Sequence, residues 1–142
     1  DFNTISGGWT NIITDKSYSV ITGGGGDSDG EVDGDSNIIQ GCDTSTISGG
    51  KKNRIRGLFG VSGGSGHTMT GGFQNNISFF DESESHSVLS GGSGNLVVGE
   101  HAVVVGGVNN AAVGTNSLAL GQNAATSTSS KHSMVVNLIG GD

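Results

Sequence analysis

Residues 95–124 read NLVVGEHAVVVGGVNNAAVGTNSLALGQNA. In this stretch Asn95-x-Val97-x-Gly99-x-x-Ala102-x-Val104-x-Gly106 is followed by Ala112-x-Gly114-x-x-Ser117-x-Ala119-x-Gly121-x-x-Ala124. Apolar side chains two apart share one face of a strand. The glycine that follows can take the positive φ of a tight corner. Asparagine tolerates such corners and bonds to neighbouring backbone. Gly91, Gly106 and Gly121 stand 15 residues apart, so one unit is two short strands and two turns. That is one coil of a β-solenoid, whose coils stack by backbone hydrogen bonds and touch only their neighbours.

The same unit recurs outward from this stretch. The pattern G-G-x-x-N-x-[I/V/A] begins at Gly7, Gly49, Gly71, Gly91 and Gly106, each preceded two residues earlier by Ile5, Ile47, Met69, Leu89 or Val104. Asn37-x-Ile39-x-Gly41 has the same design. His67, in Gly63-Gly64-x-x-His67-x-Met69, reads as a substitute for the motif asparagine. Residues 1–142 are therefore expected to form a single all-β, Gly-rich parallel solenoid domain with coils of about 15 residues, a fragment of a longer fibre. At ~4.8 Å per stacked strand, roughly nine coils make a rod of about 45 Å.

Composition agrees with this architecture. The chain of 142 residues holds 28 Gly and no Pro, and only 13% of it is charged. Glycine at this density argues against helices, and low charge argues against disorder. A net charge of −7 argues against nucleic acid as a partner. No apolar run approaches the ~20 residues that would cross a bilayer, so this segment is not expected to insert in a membrane. Such coils enclose only Ile, Val, Ala and a few Leu. A core this thin leaves one apolar strand face uncovered, and several chains sharing it around an axis, most simply three, would correct that.

The stretch Ser87–Ala125, with its Gly-x-x-Ser/Ala-x-Ala/Val-x-Gly half-units, resembles the head repeats of trimeric autotransporter adhesins. The I-S-G-G-x-x-N-x-I form in residues 5–77 is similar to repeats of phage, giant-virus and predatory-bacterium fibre proteins. The resemblance implies a left-handed parallel β-roll, a homotrimer, an extracellular place at a cell surface or virion fibre tip, and a role in attachment. It carries over no receptor-binding residue, because the matching positions are structural.

Departures from the repeat mark the candidate sites, since insertions in a solenoid become surface loops. The first loop, about residues 25–36, holds Asp27, Asp29, Glu31 and Asp33, which mimic the start of a calcium loop. The closing bidentate Glu is missing, with Gln40 in its place, so a solvated acidic loop is the plainer reading and a bound Ca2+ cofactor the sharper one. The second, about residues 78–86, holds Phe79, Phe80, Asp81, Glu82, Glu84 and His86. Aromatics flanked by carboxylates there suit recognition of a protein or sugar; plugging a gap between subunits is the plainer use. Lys51, Lys52, Arg54 and Arg56 form the one basic cluster, fit either for an anionic glycan or for ion pairing. Trp9 is expected to point outward, and the lone Cys42 to be buried.

His67, His86, His101 and His132 are scattered, and neither a Ser–His–Asp order nor metal-ligand spacing stands out. Ice binding would need flat ranks of Thr, of which Thr44-x-Thr46 is one isolated pair. The expected function is thus non-enzymatic attachment to a cell-surface glycan or protein receptor. A structural spacer, and then a short glycan-degrading enzyme, are the alternatives.

Overall fold

The computed structural model describes residues 2–14, 18–24, 36–57, 64–79, 86–129 and 131–138. These contain strands and turns and no helix, so no helix here is long and apolar enough to cross a membrane. The strands begin with β1 (Thr4–Ile5), β2 (Ile12–Thr14), β3 (Val20–Ile21), β4 (Ile38–Gln40) and β5 (Cys42–Asp43). Then come β6 (Thr46–Ile47), β7 (Arg54–Gly57), β8 (Gly64–Ser65), β9 (Thr68–Met69) and β10 (Asn76–Phe79). The last are β11 (Val88–Leu89), β12 (Leu96–Val97), β13 (Val103–Val104), β14 (Ala111–Ala112), β15 (Leu118–Gly121) and β16 (Met134–Asn137).

All pairings between them are parallel. One sheet runs β1-β3-β6-β9-β11-β13-β15-β16, a second β14-β12-β10-β7-β4-β2, and a third pairs β5 with β8. Each coil gives one strand to the first sheet and the next to the second, which makes the chain a parallel β-solenoid. Six coils contribute to both large sheets, fewer than the nine that a uniform repeat implies. Val88, Val103 and Leu118 are stacked partners 15 residues apart. Val20 and Thr46, however, are 26 apart, and Thr46 and Thr68 are 22. Insertions consume chain without adding rungs, so eight stacked strands span about 34 Å.

The interior is two facing ranks. Ile21, Ile47, Met69, Leu89, Val104 and Ala119 come from the eight-stranded sheet, and Ile39, Ile55, Ile77, Val97 and Ala112 from the six-stranded one, all 0% exposed. Alternation along each strand places their neighbours on the outside.

The corner entering the six-stranded sheet is held by a continuous asparagine ladder. The backbone N–H of Asn53 donates to Asn37 Oδ1, Asn75 to Asn53, Asn95 to Asn75 and Asn110 to Asn95, over 2.9–3.2 Å. Each Nδ2 donates to the first glycine carbonyl of its own doublet and to the second of the next coil, as Asn95 does to Gly91 at 3.1 Å and Gly107 at 3.0 Å. Asn37 holds its rung although the residues 25–35 before it lie outside those described. At Gly50, φ is +83°, and a Cβ would collide with the Gly72 carbonyl oxygen, so only glycine lets the coils approach.

Two repeat assignments shift. Gly121 stacks as the second glycine of a doublet, since the Val108 N–H and Asn110 Nδ2 both reach its carbonyl; Leu120 fills the first place. His67 is not on the asparagine ladder. It directly precedes β9, in the rank that Ser19, Ser45 and Ser87 occupy at the opposite corner. The doublet-like Gly63-Gly64 misleads because Gly64 belongs to β8, which pairs with β5 rather than forming a ladder corner.

Candidate functional site

The basic cluster is brought together by strand β7 and the corner before it. Arg54 and Arg56 alternate with the buried Ile55, so both face outward, half-buried, on the six-stranded sheet. Their partners in register are Ile38 and Asn76 for Arg54, and Gln40 and Ser78 for Arg56. Lys51 stacks on Phe73, and Lys52 holds a left-handed φ of 60°. The Lys52 Nζ lies 5.8 Å from the centroid of the Phe73 ring, a cation–π arrangement. Lys52, Arg54, Gln74, Asn75 and Asn76 line an open depression of about 300 Å³, the lower end of the range for small-ligand sites. Ser78 Oγ donates to Asn76 Oδ1 at 3.1 Å. The Arg56 Nε–H is buried and meets no acceptor among the described residues.

Phe73, Gln74 and Asn76 escape a reading that looks for charge clusters. Their signal is the repeat itself: aligning Gly49-Gly50 with Gly71-Gly72 sets Lys51 against Phe73, Lys52 against Gln74 and Arg54 against Asn76.

The second cluster divides. Phe79 ends β10 at 1% exposure, where it takes an interior corner position beside Gly57. Its ring stacks on His67, with centroids 5.4 Å apart and planes 12° from parallel. Phe79 is therefore no exposed recognition aromatic. It fills space inside the chain against the His67 ring, at a corner that Ser87 and Gly99 close in a neighbouring coil. Neither His67 ring nitrogen has a hydrogen-bond partner among the described residues. Burial, with a smaller contribution from the nearby His86 charge, lowers the His67 pKa to about 4, so the ring is neutral at physiological pH.

His86 is exposed at the corner entering the eight-stranded sheet, stacked on His101 with centroids 5.6 Å apart. The His101 Nδ1 lies 3.6 Å from Glu100 Oε1. This corner and the basic cluster are different corners of the coil, so the two sets of candidate residues do not form one site. Phe80, Asp81, Glu82 and Glu84 lie outside the described residues, as do Asp27, Asp29, Glu31 and Asp33 of the calcium candidate. Among the described residues no group of three His, Cys, Asp or Glu is placed to hold a metal ion.

Trp9 is 66% exposed, pointing outward as its place after the glycine doublet requires. Cys42 is buried, and burial pushes its thiol up to about 12, which keeps it protonated and unreactive.

One surface stands apart from these clusters. The outward rank of the eight-stranded sheet begins with Thr4, Val20, Thr46 and Thr68 and continues with Val88, Val103, Leu118 and Met134. Beside it, Val105 and Val136 are 47% and 40% exposed. Over the same coils the interior shrinks from Ile47 and Leu89 to Ala112, Ala119 and Ala124. Toward the C-terminal coils the outside of the sheet thus becomes apolar, while its inside passes from Val104 through Ala119 to the partly buried Val135. Thr46, Thr68 and Thr70 do fall on one face, so the hydroxyl ranks are longer than the sequence pair Thr44-x-Thr46 conveys.

The fold so defined is that of a parallel β-solenoid. Set against protein-family models, curated proteins and solved structures, the chain matches none of them.

Proposed function

We propose that this chain is a non-enzymatic segment of an extracellular attachment fibre, a left-handed β-roll built from three copies around one axis, which recognises a host or prey surface. The observation that carries the reading is the apolar outward face of the eight-stranded sheet in its C-terminal coils, with Met134 68% exposed. The core behind it is lean, with Ala119 on this sheet and Ala112 on the facing one fully buried. Among the described residues no charged one stands on this outward face from Thr4 to Val136. Covering Val103, Val105, Leu118, Leu120, Met134 and Val136 with another chain gains on the order of 5–10 kcal/mol before the costs of association. Identical rods side by side satisfy this, because each presents the same ranks at the same strand spacing.

Light scattering tests the assembly. The expected mass is three times 14.1 kDa, and Val105→Asp, which places a carboxylate on the shared face, is expected to give a folded monomer. A native chain that stays monomeric at every concentration overturns the trimer. Binding of the labelled assembly to cells then separates attachment from a spacer role: an assembly that binds no surface refutes attachment.

A further inference from the structure

We propose that the depression beside β7 binds an acidic sugar of a polysaccharide chain, its sulfate or carboxylate held by Arg54 beside Lys52. This rests on the attachment reading above and names the ligand class of the surface it needs.

Three observations lead there. The first is positive charge gathered in an acidic protein. The chain has 13 Asp and Glu against 6 Lys and Arg, yet Lys52 and Arg54 line the same depression. An arriving oxyanion forms a charge-assisted bond with the Arg54 guanidinium, whose planar fork suits two oxygens of one acidic group.

The second observation is the chemistry of the wall. Gln74 and Asn76 bring side-chain amides to the depression that Arg54 and Lys52 also line. Amides donate and accept, which matches the mixed hydrogen bonding of ring hydroxyls rather than that of bare phosphate. The third is Phe73, 40% exposed, with the Nζ of the lining residue Lys52 5.8 Å from its ring centroid. An aromatic face beside a cation offers the C–H side of a pyranose an apolar platform, next to a charge for its acidic substituent. The depression of about 300 Å³ has room for a small unit at a time, so the rod is read as gripping one or two sugars of a longer chain. Nucleic acid is disfavoured by the net charge of −7, which opposes approach of a dense phosphate backbone everywhere except this patch.

Fluorescence polarisation with three labelled probes tests this: a heparin hexasaccharide, neutral maltohexaose and a single-stranded DNA oligonucleotide of matching charge. The heparin probe is expected to bind and to weaken as salt rises, with maltohexaose silent and the DNA at least tenfold weaker. Lys52→Gln with Arg54→Gln is expected to reduce heparin binding at least tenfold with an unchanged circular dichroism spectrum, and Lys131→Gln to leave it unaltered. Absence of heparin binding by the native chain, equal binding of the DNA, or full binding by the double variant each overturns the proposal. If the double variant fails to fold, Gln74→Ala with Asn76→Ala replaces it: weaker heparin binding supports the site, and unchanged binding overturns it. A trimer by light scattering that binds cells but not heparin refutes the sugar site alone and leaves attachment standing.

Discussion

Removing one rung of the asparagine ladder measures what holds the coils in register. Asn95 is 1% exposed. Its Nδ2 donates to the Gly91 carbonyl at 3.1 Å and the Gly107 carbonyl at 3.0 Å, and its Oδ1 accepts the Asn110 N–H at 2.9 Å. Asn95→Ala deletes these three bonds and the 3.2 Å bond from Nδ2 to Asn75 Oδ1, while keeping the backbone N–H to Asn75 Oδ1. Each bond is worth about 1 kcal/mol net, and the buried Asn110 N–H and glycine carbonyls are then left without partners. The expected loss is about 3–5 kcal/mol, a large share of the 5–15 kcal/mol typical of a domain. At roughly 2–4 °C per kcal/mol, the melting midpoint should fall by about 10 °C or more.

Thermal and urea unfolding followed by circular dichroism provide the assay. Ser90→Ala, at an exposed outward position after β11, serves as the control and should stay within about 0.5 kcal/mol of the native chain. Asn95→Asp keeps the shape and the acceptor but turns an oxygen toward two carbonyls, so it should be at least as damaging as Asn95→Ala. A loss below about 1 kcal/mol for Asn95→Ala would show that backbone pairing alone sets the register, and the ladder argument would be wrong.

Two further outcomes follow from the same coordinates. Gly50→Ala should be far more destabilising than Gly49→Ala in the same unfolding experiment. Both have positive φ, but an added Cβ at Gly50 meets the Gly72 carbonyl, whereas at Gly49 the nearest atom is the Thr22 oxygen at 3.2 Å. Equal losses would mean that φ, not coil spacing, selects glycine there. For His67, the folded pKa of about 4 lies below the ordinary 6.5. Its neutral burial therefore contributes full stability above pH 6.5, lost as the pH falls toward 4. Between pH 7 and pH 5 the native chain should lose about 2 kcal/mol relative to His67→Leu. Parallel pH profiles for the two chains would place the ring in contact with water.

The coil was legible because its determinants are local. Ile5, Ile47, Met69 and Leu89 before their doublets, and Ile13, Ile55 and Ile77 after them, announce two inward-facing strands per unit, and the inward side chains do line the core from Ile21 to Ala119. The number of rungs was not legible, since a count by average length treats the 26 residues between Val20 and Thr46 as nearly two coils. His67 misled for a related reason: the same tetrapeptide spacing from a glycine pair occurs before either sheet, and only the pairing of β9 with β6 and β11 shows which corner it enters. At the candidate site, Lys51, Lys52, Arg54 and Arg56 were visible as charge. Phe73, Gln74 and Asn76 were visible only once one coil is laid on the next. Phe79 could not be placed from its neighbour Phe80, because burial depends on whether the opposing corner is filled by a ring or a serine.

By itself, then, the amino-acid sequence determined that this chain turns at glycine and asparagine and buries every second side chain between turns. Those preferences belong to single residues and their nearest neighbours. Tertiary structure decided what lies above what: Asn95 on Asn75, Phe73 on Lys51, and a core fading to alanine beneath an apolar outer face. Stacking is a relation between residues 14 to 26 positions apart, and insertions change that distance from coil to coil. It is settled only when each strand takes the register that satisfies its neighbours' hydrogen bonds.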